Sequence, residues 1–189
     1  MDAKCTSAVY RATLFSIGEL HSLSKTPEGS FRAILCLGQN RLELPIFERV
    51  YTKLAEHPIQ GTCQFLLYPR TDREGVLSRG TWLGDVFSEQ KREDGLEVLG
   101  ELASVDRGEG TLNVRLHPNL KGGLKRSFQL PMNASLELIE SLPGLGCAVL
   151  VMGSFREKSL RLVANSISEV PLPPKRHVQP TPASKSQHG

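Results

Sequence analysis

Two stretches of this chain read as one unit written twice. Gly18-Glu19-Leu20 recurs as Gly100-Glu101-Leu102, Leu44-Pro45 as Leu130-Pro131, and Gly61, heading an apolar run, as Gly146, heading another; the offsets stay between 82 and 86 residues. Landmarks that keep their order at nearly constant spacing mark internal repetition, which constrains architecture more than any single motif. The 189 residues therefore divide into two similar small units. A unit of roughly 70 to 80 residues buries only a marginal core by itself, so contact between the two is expected to stabilise both.

Side-chain periodicity gives each unit the same order of elements. In the first, 12–20 and 30–37 read as strands around a turn-rich segment containing Pro27 and Gly29, with Phe31, Ala33, Leu35 and Leu37 on one face. Gly38-Gln39-Asn40 turns into a third strand over 41–46, where Leu42, Leu44 and Ile46 alternate with polar positions. Phe47, Val50, Tyr51 and Leu54 change to helical spacing, and Pro58 and Gly61 end the helix predicted over 47–57. Strands over 62–68 and 76–83 follow. The second unit repeats the plan, with strands over 96–105, 111–116 and 125–130, a helix over 133–142 capped by Asn133, and strands over 146–153 and 159–170.

Strand, strand, strand, helix, strand, strand resembles the OB-fold, a five-stranded Greek-key barrel with a helix between its third and fourth strands. The resemblance lies at the level of fold, spans about residues 12–170 and carries no motif of a particular family. It implies an all-β chain with short helices, built as two tandem OB-like five-stranded barrels. The expected organisation is an N-terminal arm over 1–11, the first barrel over 12–83, a charged linker over 84–95, the second barrel over 96–170 and a C-terminal tail over 171–189. That tail is rich in Pro, Ser, Lys and Gln and has almost nothing apolar to bury, so it is expected to be disordered.

Enzymatic readings find no support in the sequence. The five histidines lack metal-ligand spacing, and there is neither a Gly-rich phosphate loop ending in Gly-Lys-Ser/Thr nor a G-x-S-x-G elbow. Glu19 and Glu101 occupy matching positions and are expected to bond local backbone. No cofactor or metal is expected. Cys36, Cys63 and Cys147 lie in apolar runs without a C-x-x-C pair, and no apolar stretch reaches the ~20 residues of a membrane span. A reducing, cytoplasmic setting without membrane contact is the expectation.

Net charge is +3, with −2 in 84–95 and +3 in 171–189, so neither unit is basic as a whole. Nucleic-acid binding therefore requires local grouping of cations. OB-folds bind oligonucleotides across their second and third strands with cations and stacking rings, as the resemblance implies. In the second unit the candidates are Arg115, Lys121, Lys125, Arg126 and Arg161; in the first they are Arg32 and Arg79, with Arg70 nearby, and the rings of Tyr68 and Trp82. The expected function is non-enzymatic binding of single-stranded DNA or RNA inside a larger assembly with protein partners. A protein-interaction adaptor built on the same barrels is the alternative, and convergence of Arg115, Lys125, Arg126 and Arg161 in one groove is what separates the two.

Overall fold

The first strand of each half changes partners midway along its length. The computed structural model describes residues 9–119 and 124–171. In it β1 (Arg11–Lys25) pairs antiparallel with β4 (Thr62–Tyr68) over residues 14–19 and with β2 (Phe31–Leu37) over residues 19–25. β6 (Gly95–Asp106) likewise pairs with β9 (Ala148–Arg156) over 96–101 and with β7 (Thr111–Leu116) over 101–106. Glu19 and Glu101 are the switching residues, and a register shift follows each, between Leu20 and Ser22 and between Leu102 and Ser104. Such irregularities bend a strand and increase its twist. The glycine before each switch allows close approach of the neighbour: a Cβ on Gly18 would lie 2.3 Å from the Cys36 carbonyl oxygen, and one on Gly100 2.2 Å from Val114 Cγ1. The recurring Gly-Glu-Leu thus has a mechanical cause.

The other elements are β3 (Asn40–Pro45), α1 (Glu48–Glu56), β5 (Trp82–Phe87), β8 (Phe128–Ala134), α2 (Leu136–Glu140) and β10 (Arg161–Glu169), so the chain is mostly β with two short helices. Pairing in the second half runs β6–β7–β8–β10–β9 and back to β6, with β8 and β10 parallel. In the first half the path β3–β2–β1–β4–β5 is joined back to β3 by one parallel bridge, Ile46 to Leu83.

Several boundaries differ from the sequence reading. The predicted strand over 76–83 is a loop in which Val76 bridges to Arg161 and Leu77 to Thr71, and β5 begins only at Trp82. Residues 84–87 therefore belong to β5, and the connection between halves is 88–94. It is exposed along its whole length, as its charges suggest, and it also holds the side chain of Gln64, which is 1% exposed. Gln64 Nε2 donates to the Arg92 carbonyl (2.7 Å) and Asp94 Oδ1 (2.8 Å), while its Oε1 accepts from the Lys91 (2.9 Å) and Arg92 (3.3 Å) amides.

β8 starts at Phe128 rather than 125 and continues through Pro131; a proline is tolerated where a strand lacks a neighbour on one edge, and β8 meets β10 only from Asn133 onward. Asn133 lies in this strand, and Ser135 caps α2 by accepting from the Leu138 amide (3.2 Å). Of the expected arm, Tyr10 is buried and Arg11 opens β1. The C-terminal tail from residue 172 lies outside the described residues.

The halves are not independent. β1 and β6 pair antiparallel, residues 11–15 against 95–99, which makes one sheet of the ten described strands. Buried side chains from Leu14, Leu35 and Phe65 through to Val98, Leu112 and Val151 form a single cluster. Gly100→Ala should therefore lower stability by about 1–3 kcal/mol through overpacking, whereas Gly108→Ala, whose nearest neighbour would be 3.4 Å away, should stay within about 0.5 kcal/mol. In urea titrations the Gly100→Ala midpoint seen by Trp82 fluorescence, in the other half, should fall together with that seen by far-ultraviolet circular dichroism. Separate midpoints would show that the halves unfold independently.

Candidate nucleic-acid interface

The loop 69–81, between β4 and β5, separates two grooves. Its ends are tied together: the Arg70 carbonyl accepts from the Ser78 amide (2.7 Å) and the Thr81 hydroxyl (3.0 Å), and the buried Thr81 oxygen accepts from the Arg70 amide (3.0 Å). Asp72 Oδ1 caps the tip by accepting from the amides of Glu74 (2.9 Å) and Val76 (3.0 Å). The loop is also fastened to the second half, where the Leu77 amide donates to the Leu160 carbonyl (2.8 Å), the Leu162 amide to the Gly75 carbonyl (3.0 Å) and the Thr71 hydroxyl to the Pro131 carbonyl (3.0 Å). Leu160 adopts a left-handed conformation, φ +55°, unusual for a side chain of its size.

On one side of this loop a groove of about 630 Å³ opens between the halves. Its first wall is aromatic. Tyr68 and Trp82 are cross-strand partners, and the Ile46–Leu83 bridge brings Phe47 beside them. Phe47 and Trp82 stack with centroids 4.9 Å apart and planes tilted by 31°, and Phe47 meets the Tyr68 ring edge-on at 6.1 Å. A Cβ on Gly84 would lie 2.6 Å from Tyr68 Cε2, so the missing side chain makes room for that ring. Trp82 and Phe47 remain 39% and 37% exposed, which is unusual for adjacent large rings.

The facing wall comes from the second half, with Leu116, Leu124 and Phe128. The Arg70 guanidinium lies over Phe128, 3.4 Å from the ring centroid, and so spans the halves. Burial lowers the Arg70 pKa from its ordinary value, which is high enough to leave the group charged at neutral pH. Tyr10 lies at the base, where Asn119 Oδ1 accepts from its amide (2.9 Å) and Asn119 Nδ2 donates to its carbonyl (2.9 Å). Among the described residues Arg11, Arg49 and Arg70 line the groove and no carboxylate does. Arg11 is bonded to Glu97 (2.6 Å).

A second groove, about 670 Å³, lies on the other side of the loop and is lined by Arg32 of β2, Arg41 and Glu43 of β3, and Ser78 and Arg79 of the loop. The sequence candidates thus divide. Arg32 and Arg79 meet here, joined by Arg41, while Tyr68 and Trp82 meet in the first groove, joined by Phe47, Arg49 and Arg70. Phe47 carried only a helical-stripe signal in the sequence; its role depends on β3 ending beside the start of β5, which no local pattern encodes.

The described second-half candidates, Arg115, Lys125, Arg126 and Arg161, line neither groove. Arg115 lies 3.6 Å from Glu101, its cross-strand partner, and Glu101 also bonds His117 Nε2 (3.0 Å), so this acid serves side chains of the neighbouring strand. Arg161 lies 3.5 Å from Glu74 of the 69–81 loop. Lys125 and Arg126 are exposed on the segment preceding β8, and Lys121 lies outside the described residues. Among the described residues no group of three or more His, Cys, Asp or Glu is placed to hold a metal ion.

No protein-family profile matches this chain, and no curated protein does. Solved structures do match. The single-stranded DNA binding protein from Thermus aquaticus is similar over 89% of this chain and 97% of its own, with a TM-score of 0.53 at 18% identity. A deletion mutant of the same protein covers 90% and 99%, with a TM-score of 0.55 at 17% identity. The fold resembles that of these proteins. The likeness supports the OB-like reading of the chain, and at this identity it concerns the fold alone.

If Phe47 shields Trp82 as the stack implies, Phe47→Ala should shift Trp82 emission to longer wavelength and raise its quenching by acrylamide. The accompanying loss of stability should be about 0.5–1.5 kcal/mol beyond the effect of the apolar area no longer buried. Unchanged quenching would mean that the two rings do not stack in solution.

Proposed function

We propose that this protein is a non-enzymatic single-stranded DNA binding protein whose halves are tandem OB-like five-stranded barrels, and that the strand is held in the two grooves beside the 69–81 loop. The observation that carries this reading is the exposed Phe47–Trp82 stack in a groove lined, among the described residues, by three arginines and no carboxylate. Single strands offer unpaired base faces and a regular array of phosphates. Rings that are half open to solvent suit the bases, and the exposed Arg49 guanidinium, which has no carboxylate partner among the described residues, suits the backbone. The second groove adds Arg32 and Arg41 on the β2–β3 face and Arg79 on the β4–β5 loop, both of which OB-folds use for oligonucleotides. The likeness to the Thermus aquaticus protein, which binds single-stranded DNA as its name states, supports the same reading.

The site belongs mainly to the first half. Of the second-half cations, Arg115 is partly neutralised by Glu101 and Arg161 by Glu74 of the 69–81 loop. Protein partners belong to the proposal as well, because Leu136 and Leu145, 62% and 66% exposed, present apolar surface around α2. No described helix is long and apolar enough to cross a membrane, and we place the protein in the cytoplasm with its cysteines reduced.

Fluorescence anisotropy with labelled DNA and RNA strands over a salt series tests the assignment. Replacing Arg32, Arg41 and Arg79 with Ala should weaken binding and reduce the log–log salt slope by about 2, because each phosphate left without its cation lowers the slope by about 0.7. Replacing Arg115, Lys125 and Arg126 should change both quantities less. Trp82→Ala should cost about 1–3 kcal/mol with little change in slope, because stacking releases few counterions. Absence of binding to any single strand at low salt would overturn the reading in favour of the protein-interaction alternative. Stronger binding to RNA would reassign the ligand.

A further inference from the structure

We infer that the groove between the halves is a self-contained site for one nucleotide, unselective for the base and dependent on its phosphate. The inference rests on the single-strand reading and narrows it, by separating a pocket that recognises one nucleotide from a groove that follows the backbone.

The two grooves differ in chemistry. Among the described residues the one lined by Arg32, Arg41 and Arg79 contains no aromatic ring, and its arginines share it with Glu43. It offers charge along a surface and nothing on which a base can stack. The groove between the halves brings two aromatic walls to one place from distant parts of the chain, the Phe47–Trp82 pair and Phe128 beneath the Arg70 guanidinium. Its volume of about 630 Å³ falls within the range of about 300–1,000 Å³ of sites that enclose a small ligand. A planar ring of any base gains dispersion and quadrupolar contact from such walls, since every base has a π-face.

Base selection needs free donors or acceptors at the base edge. The amide of Asn119, the one carboxamide among the described lining residues, is buried and held at both ends by the Tyr10 backbone. Among the described residues no other Asn or Gln and no Asp or Glu lines the groove. Stacking is therefore the dominant contact to the base, and stacking tolerates all four.

The phosphate requirement comes from the arginines. Arg11 is bonded to Glu97, and Arg70 is half-buried over Phe128 with its Nη1 donating to the Pro69 carbonyl (3.0 Å). Arg49 is exposed at the start of α1, has no carboxylate partner among the described residues, and lies over the Phe47 ring at 5.9 Å. It is the cation free to meet a phosphate attached to a base that rests on the aromatic pair.

The single tryptophan of the chain lies in this groove, so intrinsic fluorescence of the full chain, excited beyond the absorption of the bases, reads the site directly. Titrations with dAMP, dTMP, the nucleosides deoxyadenosine and thymidine, inorganic phosphate and a labelled oligothymidylate separate the outcomes. Both monophosphates should alter Trp82 emission saturably, with affinities within about threefold of each other, as expected where stacking dominates. Each nucleoside should bind about tenfold or more weakly, the size of one charge-assisted hydrogen bond, and phosphate alone should leave the emission unchanged.

Arg49→Ala should erase most of the difference between nucleotide and nucleoside; an exposed site of this kind leaves the fold intact. A change of emission with the oligonucleotide but none with either monophosphate would overturn the inference while leaving the single-strand reading in place. No binding of the oligonucleotide, by emission or anisotropy, would remove both. Equal binding of nucleoside and nucleotide would overturn the phosphate requirement, and a preference of about thirtyfold or more for one base, roughly 2 kcal/mol, would overturn the lack of selectivity.

Discussion

Antiparallel pairing of β1 with β6, residues 11–15 against 95–99, is the interaction on which the rest of the molecule depends. It joins the two halves edge to edge in one sheet and merges their apolar side chains into one cluster. It also fixes where the first half's β4–β5 loop lies against β8 and β10 of the second. The groove between the halves exists because of that placement: Trp82 and Phe47 come from one half, Phe128 and Leu124 from the other, and Tyr10, at the head of β1, closes the base between them. Either half alone would present one wall of this groove.

The 69–81 loop converts sheet geometry into a binding surface. Loops of this length are commonly mobile, yet here its ends are bonded to each other across Arg70 and Thr81, and its middle is bonded to the Leu160 and Pro131 carbonyls. Leu160 holds a left-handed backbone, a position at which glycine is the usual residue. Its carbonyl receives the Leu77 amide and its side chain packs on the shared core, so the contact outweighs the local strain. The loop carries Arg70 to one groove and Arg79 to the other, and the fixed geometry keeps these two cations apart.

Much of the element order was legible in the sequence because it is local. The alternation of Ala33, Leu35 and Leu37 and the helical spacing of Val50 and Leu54 report their surroundings directly, and all five are buried. β4 and β7 match the predicted strands 62–68 and 111–116 end to end. The misses lie where a residue's partner is distant in sequence. Val76 and Leu77 alternate like a strand but are satisfied by Arg161 and Leu160. Residues 91–94 are exposed as their charges suggest, but nothing local shows that the backbone of Lys91 and Arg92 bonds a buried glutamine. Arg115 and Arg161 looked available because Glu101 and Glu74 lie 14 and 87 residues away. Tyr68 and Trp82, singled out for their places near strand ends, line one groove, and Phe47 and Arg49 are brought to the same groove by a bridge between β3 and β5.

The seam between the halves also bears on how the chain assembles. Residues 11–15 are synthesised well before 95–99, so the β1 edge stays unpaired while the intervening chain is made, and an open edge is a template for strands of other molecules. A second copy offers the same β6 and could exchange it without losing a pairing, which is the geometry of domain swapping. The connection 88–94 opposes this. It is short, and Gln64 on β4, itself paired to β1, anchors it through both ends of its side-chain amide. β6 is thereby presented to its own β1 at an effective concentration in the millimolar range typical of short tethers. A single buried glutamine thus favours closure of each chain on itself over exchange with its neighbour.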